Sequence, residues 1–420
     1  MSKKNRATRK AAARPVATVT LAFGLSVAAC DVINPGQILD TDLNDQSAFR
    51  VLVNGMAGDF ADALDDLNWN NSVMMGDLSG TSAYLSRIRH WEGRPTSEDA
   101  TDYDSAHAVP WVVQDGIERM RETLGAAFDT SPLAAEAHLW GGYANRLLGE
   151  TMCQAIIEGG APESREVYLQ RADEHFTEAI AIATAAGEEQ IRLAATGGRA
   201  SVRINLSEWD AAVADAQQVP DDFGFYALYH TTGTGNTIWD ESQSRVNLNV
   251  KYTWFEAYYD ETGDPRTPWF RDAAIVTAAD GATPQLMQDK YSSQEADVAL
   301  TTGGEMRLIE AEALIREGQW EAGLDIVNDL RAEFDVAPWT AASQAEAMDA
   351  LKKERAIELW LETRRSGDLY RWGGDPTQDV ILVAMKENAP HVLLEDRATC
   401  CSRTTHIGAW RTPRSVTLFT

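Results

Sequence analysis

The 420 residues hold four cysteines, seven histidines and only 37 basic side chains against 64 acidic ones. So few cysteines in so long a chain make no disulfide framework. The net charge of −27 excludes a nucleic-acid binder and a basic-patch membrane binder, since such a surface repels phosphates and anionic headgroups. His90, His107, His138, His175, His230, His391 and His406 lie far apart without ligand spacing, so no metal is expected. Catalytic signatures are missing too: there is no G-x-S-x-G elbow, no H-E-x-x-H, no P-loop and no C-x-x-C. Gly233-Thr234-Gly235 lacks the third glycine of a dinucleotide loop and reads as a turn. Acidic pairs such as Asp65-Asp66 and Asp221-Asp222 suit a glycosidase only at a defined carboxylate separation. Among 64 acids they arise by chance. The sequence therefore points to no enzyme and no cofactor.

Past the N-terminus no run of about 18 residues is apolar and uncharged, so the body is not expected to span a bilayer. The N-terminus differs. Lys3, Lys4, Arg6, Arg9, Lys10 and Arg14 precede an apolar run from Val16 to Leu25, with no acid before Cys30. These are the n- and h-regions of a signal peptide. The run ends in Leu25-Ser26-Val27-Ala28-Ala29-Cys30, which resembles the bacterial lipobox, whose cysteine thiol receives the lipid before cleavage. Residues 1–29 are thus expected to be removed and Cys30 acylated. Losing six cations takes the charge from −27 to −33, so the lipid, not a basic patch, would hold the protein to its membrane. Cys153, Cys400 and Cys401 read as simple thiols. A vicinal Cys400–Cys401 bridge or a pair to Cys153 are the alternatives.

No Pro/Ser/Gly-rich linker divides residues 30–420, which predicts a single, mainly all-α domain. Its recurring unit is a helical hairpin. Ala200-Ser201-Val202-Arg203-Ile204-Asn205-Leu206-Ser207-Glu208-Trp209 aligns with Ala311-Glu312-Ala313-Leu314-Ile315-Arg316-Glu317-Gly318-Gln319-Trp320. Small residues let two helices approach, a short polar turn reverses the chain, and a Trp packs at the mouth. This is tetratricopeptide-like geometry, and both tryptophans read as core. A looser version runs from Ala137 to Gly149. Ala172, Phe176, Ala179, Ile180 and Ala183 mark another helix face. Hairpins are expected at 137–219 and 304–372. Between them residues 220–303 form an insertion rich in aromatics and turn signals, Thr262-Gly263-Asp264-Pro265 among them, which predicts loops and short elements. A second irregular, aromatic stretch is expected from Asn68 to Pro110. Loops on a rigid scaffold carry binding more often than the scaffold does.

The C-terminal third is more specific. Gly304-Glu305-Met306-Arg307-Leu308-Ile309-Glu310-Ala311-Glu312-Ala313 opens one helix. Lys353-Glu354-Arg355-Ala356-Ile357-Glu358-Leu359-Trp360-Leu361-Glu362-Thr363-Arg364-Arg365-Ser366-Gly367-Asp368-Leu369-Tyr370-Arg371-Trp372 closes another. Together they resemble the SusD/RagB family of outer-membrane nutrient-uptake lipoproteins, with its RLAEA-type helix and ER..EL..E..R..DL.RW block. Glu354, Glu358 and Glu362 repeat at i, i+4 with Arg365 three residues on, a stripe where carboxylates meet guanidiniums. Arg307, Glu310, Glu354, Arg355, Glu358, Arg365 and Asp368 are expected to form a structural network and not a catalytic one. The chain is short for the family, which implies trimmed loops.

The resemblance implies a lipid-anchored, surface-exposed outer-membrane protein. Such a protein captures oligosaccharide or peptide for a SusC-like TonB-dependent receptor. The alternative is a surface lipoprotein scaffold that uses its tetratricopeptide-like repeats to hold another protein; a glycoside hydrolase is a more distant third. A glycan binder needs flat rings for the sugar's C–H faces and polar groups for its hydroxyls. Trp69 in Asn68-Trp69-Asn70-Asn71, Tyr84 and Trp91 near Arg87 and Arg89, and Trp239, Trp254 and Tyr258 from the insertion are the candidates.

Overall fold

The computed structural model describes residues 40–373 and 378–394. Residues 1–29, the lipobox Cys30, and Cys400 and Cys401 lie outside the described residues. From Asp40 on the chain belongs to one compact unit. No helix among the described residues is long and apolar enough to cross a membrane.

Periodic apolar faces account for most of the architecture. Helix α1 (Phe49–Met74) sets Phe49, Val53, Met56, Phe60, Leu64 and Leu67 on one buried stripe at three- and four-residue steps. From Leu67 to Val73 every residue is buried, so the second half of α1 runs through the body. It ends at Met74, and Gly76 just beyond takes a φ of 84°, which favours a residue without a side chain. A short α2 (Leu85–Trp91) and a long α3 (Asp104–Leu124) follow. Helix α4 (Pro132–Thr151) starts on a Ser131 cap with Pro132 in its first turn and is buried almost throughout. It packs on α5 (Glu166–Ala186), and α5 in turn on α6 (Glu189–Asn205). A small ladder of β1 (Gln154–Ala155) and β2 (Glu163–Ser164) lies between α4 and α5. The Phe176 ring shows how close these helices come. A Cβ on Gly142 of α4 or on Gly198 of α6 would lie 2.5 Å from it.

The aligned hairpins are both present. One is α6 with α7 (Trp209–Ala216). The turn residue Ser207 is left-handed at φ 63°, and Gly318 at the matching place in the second hairpin has φ 85°. Between the two hairpins residues 220–303 form short pieces, as expected. These are β3 (Gly224–Ala227), a single turn α8 (Thr237–Trp239) that widens into a π-turn at Asp240–Ser244, α9 (Trp254–Thr262), β4 (Trp269–Phe270), β5 (Met287–Gln288) and β6 (Val298–Thr302). β3 pairs antiparallel with β6, and β4 with β5. The second hairpin comprises α10 (Gly303–Arg316) and α11 (Trp320–Glu333), then α12 (Gln344–Glu358), α13 (Arg365–Arg371) and α14 (Val380–Asn388). Ala200, Ile204, Ala212, Met306 and Ile309 join α6, α7 and α10 in one apolar cluster. Leu308, Ile315, Val327 and Leu351 join α10, α11 and α12 in another.

Three expectations need correction. The stretch from Asn68 is not irregular at its start, because α1 continues to Met74. Asparagine is a poor helix former, but Asn71 is buried and donates to the Ser366 hydroxyl at 2.6 Å, so tertiary context overrides propensity. The block from Lys353 to Trp372 is not one helix. α12 stops at Glu358, Leu361 and Thr363 take left-handed φ values of 62° and 65°, and α13 starts afresh at Arg365. Third, Cys153 is not a simple thiol but disulfide-bonded, its partner lying outside the described residues.

That break redistributes the charged stripe. Glu354 is fully buried and accepts from Arg331 at 2.6 Å and from the Trp339 indole at 2.9 Å. Arg266 of the insertion forks onto Asp264 and reaches Glu358 at 3.0 Å. Glu362 turns away to Lys290 at 2.6 Å. Arg355 binds Asp368, and Arg365 binds Asp379 and the Met75 carbonyl. Arg307 and Glu310 stand apart. Arg307 pairs with the exposed Glu333, and Glu310 accepts from Gln217 at 3.0 Å. A further buried cluster, Arg146 with Glu150 at 2.9 Å and Glu305 at 2.7 Å, was not foreseen, because its members come from α4 and α10.

Candidate functional site

The two aromatic stretches that sequence separates are joined in space. Ser79 and Asn249 exchange both backbone hydrogen bonds, at 2.8 and 3.0 Å. The Ser82 hydroxyl donates to Asn247 Oδ1 at 2.7 Å, and Arg87 reaches Glu241 in the π-turn at 3.1 Å. Trp91 and Tyr252 stack, their centroids 6.1 Å apart and their planes 14° from parallel. At the root of this contact Asp65 of α1 accepts from the Thr237 amide at 2.7 Å and from its hydroxyl. Burial, with Asp66 and Asp62 nearby, pushes the Asp65 carboxyl up to about 7 against those bonds.

Asn249 is the knot. Fully buried, its side chain accepts from the amides of Lys251 and Leu286, both at 2.9 Å, and donates to the Pro284 carbonyl at 3.0 Å. These bonds set the loop that ends at Tyr252, whose φ is 72°. A left-handed backbone on an aromatic residue persists only where its surroundings over-determine it. Here the Tyr252 amide is held by Glu256 at 3.0 Å. π-Turns such as the one carrying Glu241 recur at functional sites.

The six aromatic candidates separate by depth. Trp69, Trp91 and Tyr258 are buried, Trp239 and Trp254 half-buried, and Tyr84 is 57% exposed. Trp69 is covered by Arg87, 3.9 Å above its ring, and by the edge of His90. Trp91 lies between Tyr252 and His391. Tyr258 donates to Asp264 at 2.6 Å and stacks on Trp254 at 4.7 Å. Trp69, Trp91 and Tyr258 therefore pack and present no ring face, which removes them as direct contacts. Tyr84, with Leu85 beside it, stands at the joined surface, and half-buried Tyr252 adds a ring there that the sequence did not single out. Its left-handed backbone leaves no mark in the sequence.

The rim is charge-balanced. Arg87 pairs with Glu241, Arg94 with Glu92, Arg245 with Asp240 and Lys251 with Glu256. Arg89 binds Asp99, whose carboxyl is held below its usual range: burial raises it, and the bonds from Arg89 and Thr96 more than offset that. Such an arrangement can bind a neutral, hydroxyl-rich surface. Among the described residues no group of three or more His, Cys, Asp or Glu side chains is placed to hold a metal ion.

Sequence comparison bears on the same region. Residues 227–399 match the profile of the SusD family, a span that takes in Asn249, Tyr252 and both C-terminal blocks. Over that span the chain is similar to the SusD family. Solved structures of the superfamily share its fold. One from Bacteroides vulgatus superposes with a TM-score of 0.60 at 12% identity, covering 85% of this chain and 92% of that one. A SusD-like protein from Bacteroides fragilis gives 0.61 at 14%, covering 81% and 88%. A SusD-like carbohydrate binding protein from Bacteroides vulgatus gives 0.57 at 15%, covering 77% and 83%. At these identities the likeness is one of fold. No curated protein matches the sequence.

Proposed function

We propose that this chain is a cell-surface binding protein of the SusD kind that captures oligosaccharide, with peptide as the other ligand class, and has no catalytic role. The observation that carries the reading is the junction of the two aromatic stretches into one surface, with Tyr84 exposed and Tyr252 propped on Trp91. Rings of this kind take the C–H faces of a sugar, and the balanced ion pairs around them favour a ligand without net charge. The solved relative described as a SusD-like carbohydrate binding protein supports the same ligand class. Acylation at Cys30 would hold the body to the outer membrane, and a SusC-like TonB-dependent receptor would receive the cargo.

The hairpins favour this reading over a repeat scaffold. In α6, α7, α10, α11 and α12 the apolar faces are spent on one another. The test is a glycan and peptide panel on the mature protein, run beside Tyr84→Ala and Tyr252→Gly. The glycine keeps the left-handed backbone and deletes only the ring. Weak glycan binding that both variants reduce is the expected result. Wild-type protein that binds neither glycan nor peptide would overturn it.

A further inference from the structure

A cleft of about 300 Å³ opens between α12, the end of α13 and the start of α14. Asp349, Lys352, Lys353, Leu369, Trp372 and Asp379 are among its lining residues. The volume lies at the lower end of the range of small-molecule sites.

Its polar groups are unequally committed. Asp379 is occupied, binding Arg365 and capping the amides of Ile381 and Leu382 at 3.1 and 3.0 Å. Lys352 and Lys353 are not: among the described residues neither forms an ion pair, in a chain of net charge −27. The ammonium of Lys352 lies 5.5 Å from the Trp372 ring, and that of Lys353 lies 5.2 Å from the Trp339 ring. Trp372 is fixed beforehand. Its indole N–H donates to the fully buried Glu312 at 2.9 Å, and the Arg371 guanidinium sits 4.8 Å from its ring. A preset ring lowers the ordering cost of binding.

We propose that this cleft is a second ligand site, distinct from the joined surface of Tyr84 and Tyr252, and that it takes a sugar acid. The carboxylate bridges Lys352 and Lys353, a C–H face of the ring rests on Trp372, and a hydroxyl donates to the exposed Asp349. Among the described residues the lysine pair has no anionic partner, and the indole and the carboxylate of Asp349 select a hydroxylated ring to carry one.

Glucuronate and glucose make matched probes, the same ring with and without the carboxylate. Calorimetry on the mature protein should show glucuronate binding at least about tenfold tighter than glucose, the worth of a charge-assisted hydrogen bond. The preference should fade as salt rises. The double variant Lys352→Gln/Lys353→Gln should lose it with an unchanged melting temperature, and Tyr84→Ala should keep it. Equal affinity for the two sugars, no glucuronate binding by folded wild type, or glucuronate binding that survives the double substitution would each overturn the assignment. If glycans bind at the Tyr84 surface while glucuronate fails here, only this second site falls.

Discussion

Arg355 and Asp368 face each other through two parallel hydrogen bonds of 3.0 Å, a fork closed across the break between α12 and α13. Both are buried. Arg371 adds two more donors to Asp368, at 2.9 and 2.8 Å. Surrounding guanidiniums hold the Asp368 carboxyl below its usual range against the desolvation that burial imposes.

Arg355→Ala leaves that buried carboxylate with Arg371 as its one remaining guanidinium and should cost roughly 3 kcal/mol. Arg307→Ala removes a pair to a Glu333 side chain that is 55% exposed and should cost less than about 1 kcal/mol. Urea unfolding of the two variants checks the contrast. Equal losses would contradict the division of this arginine set into core and surface members.

Trp69 and Tyr84 make a second contrast. Trp69→Ala empties a fully buried site and should lower stability by about 3–5 kcal/mol. Tyr84→Ala should leave the melting temperature within error and weaken glycan binding. Thermal melts paired with affinity electrophoresis read both.

The Asp65 carboxyl, pushed up to about 7 by burial, makes stability depend on pH. The folded state keeps this proton until about pH 7, whereas the unfolded chain releases it near 3.8. Its contribution is therefore fully present below the unfolded value and is lost as pH rises through 7. Asp65→Asn removes that dependence and should gain on wild type between pH 5 and 8. Denaturant midpoints across that range measure it, and a difference that shrinks with rising pH would refute the assignment.

The hairpin turns predict opposite signs for matched substitutions. Gly318→Ala forces a side chain into the left-handed region and should cost about 1 kcal/mol. Ser207→Gly relieves that strain at the equivalent turn and should be neutral to slightly stabilising.

The hairpins were legible in the sequence because they are local. Small residues, a turn and a Trp recur at fixed offsets, and Ser207 and Gly318 even share a backbone conformation. The family resemblance was legible for the same reason, since its blocks are continuous runs. The candidate surface was half legible. Both stretches that build it were found, but not that Asn68 to Asn71 would be helical or that Trp69 and Trp91 would be inside. Those outcomes depend on distant partners, such as Ser366 for Asn71, 295 residues away. Ion-pair assignments failed where a helix was read as continuous. A stripe at i, i+4 dissolves once Leu361 and Thr363 turn the chain.

The pairing of Ser79 with Asn249 also sets a schedule. It closes a loop of 170 residues, an entropic cost of roughly 4–5 kcal/mol that the contacts themselves must overcome. Helices α3 to α6 pair through contacts between neighbours in sequence, while Ser79 waits for its distant partner. No N-terminal fragment ending before Asn249 can display the joined surface, and a nascent chain that stalls there leaves Trp91 without the Tyr252 ring that later covers it. Binding competence is thus among the last properties this chain acquires.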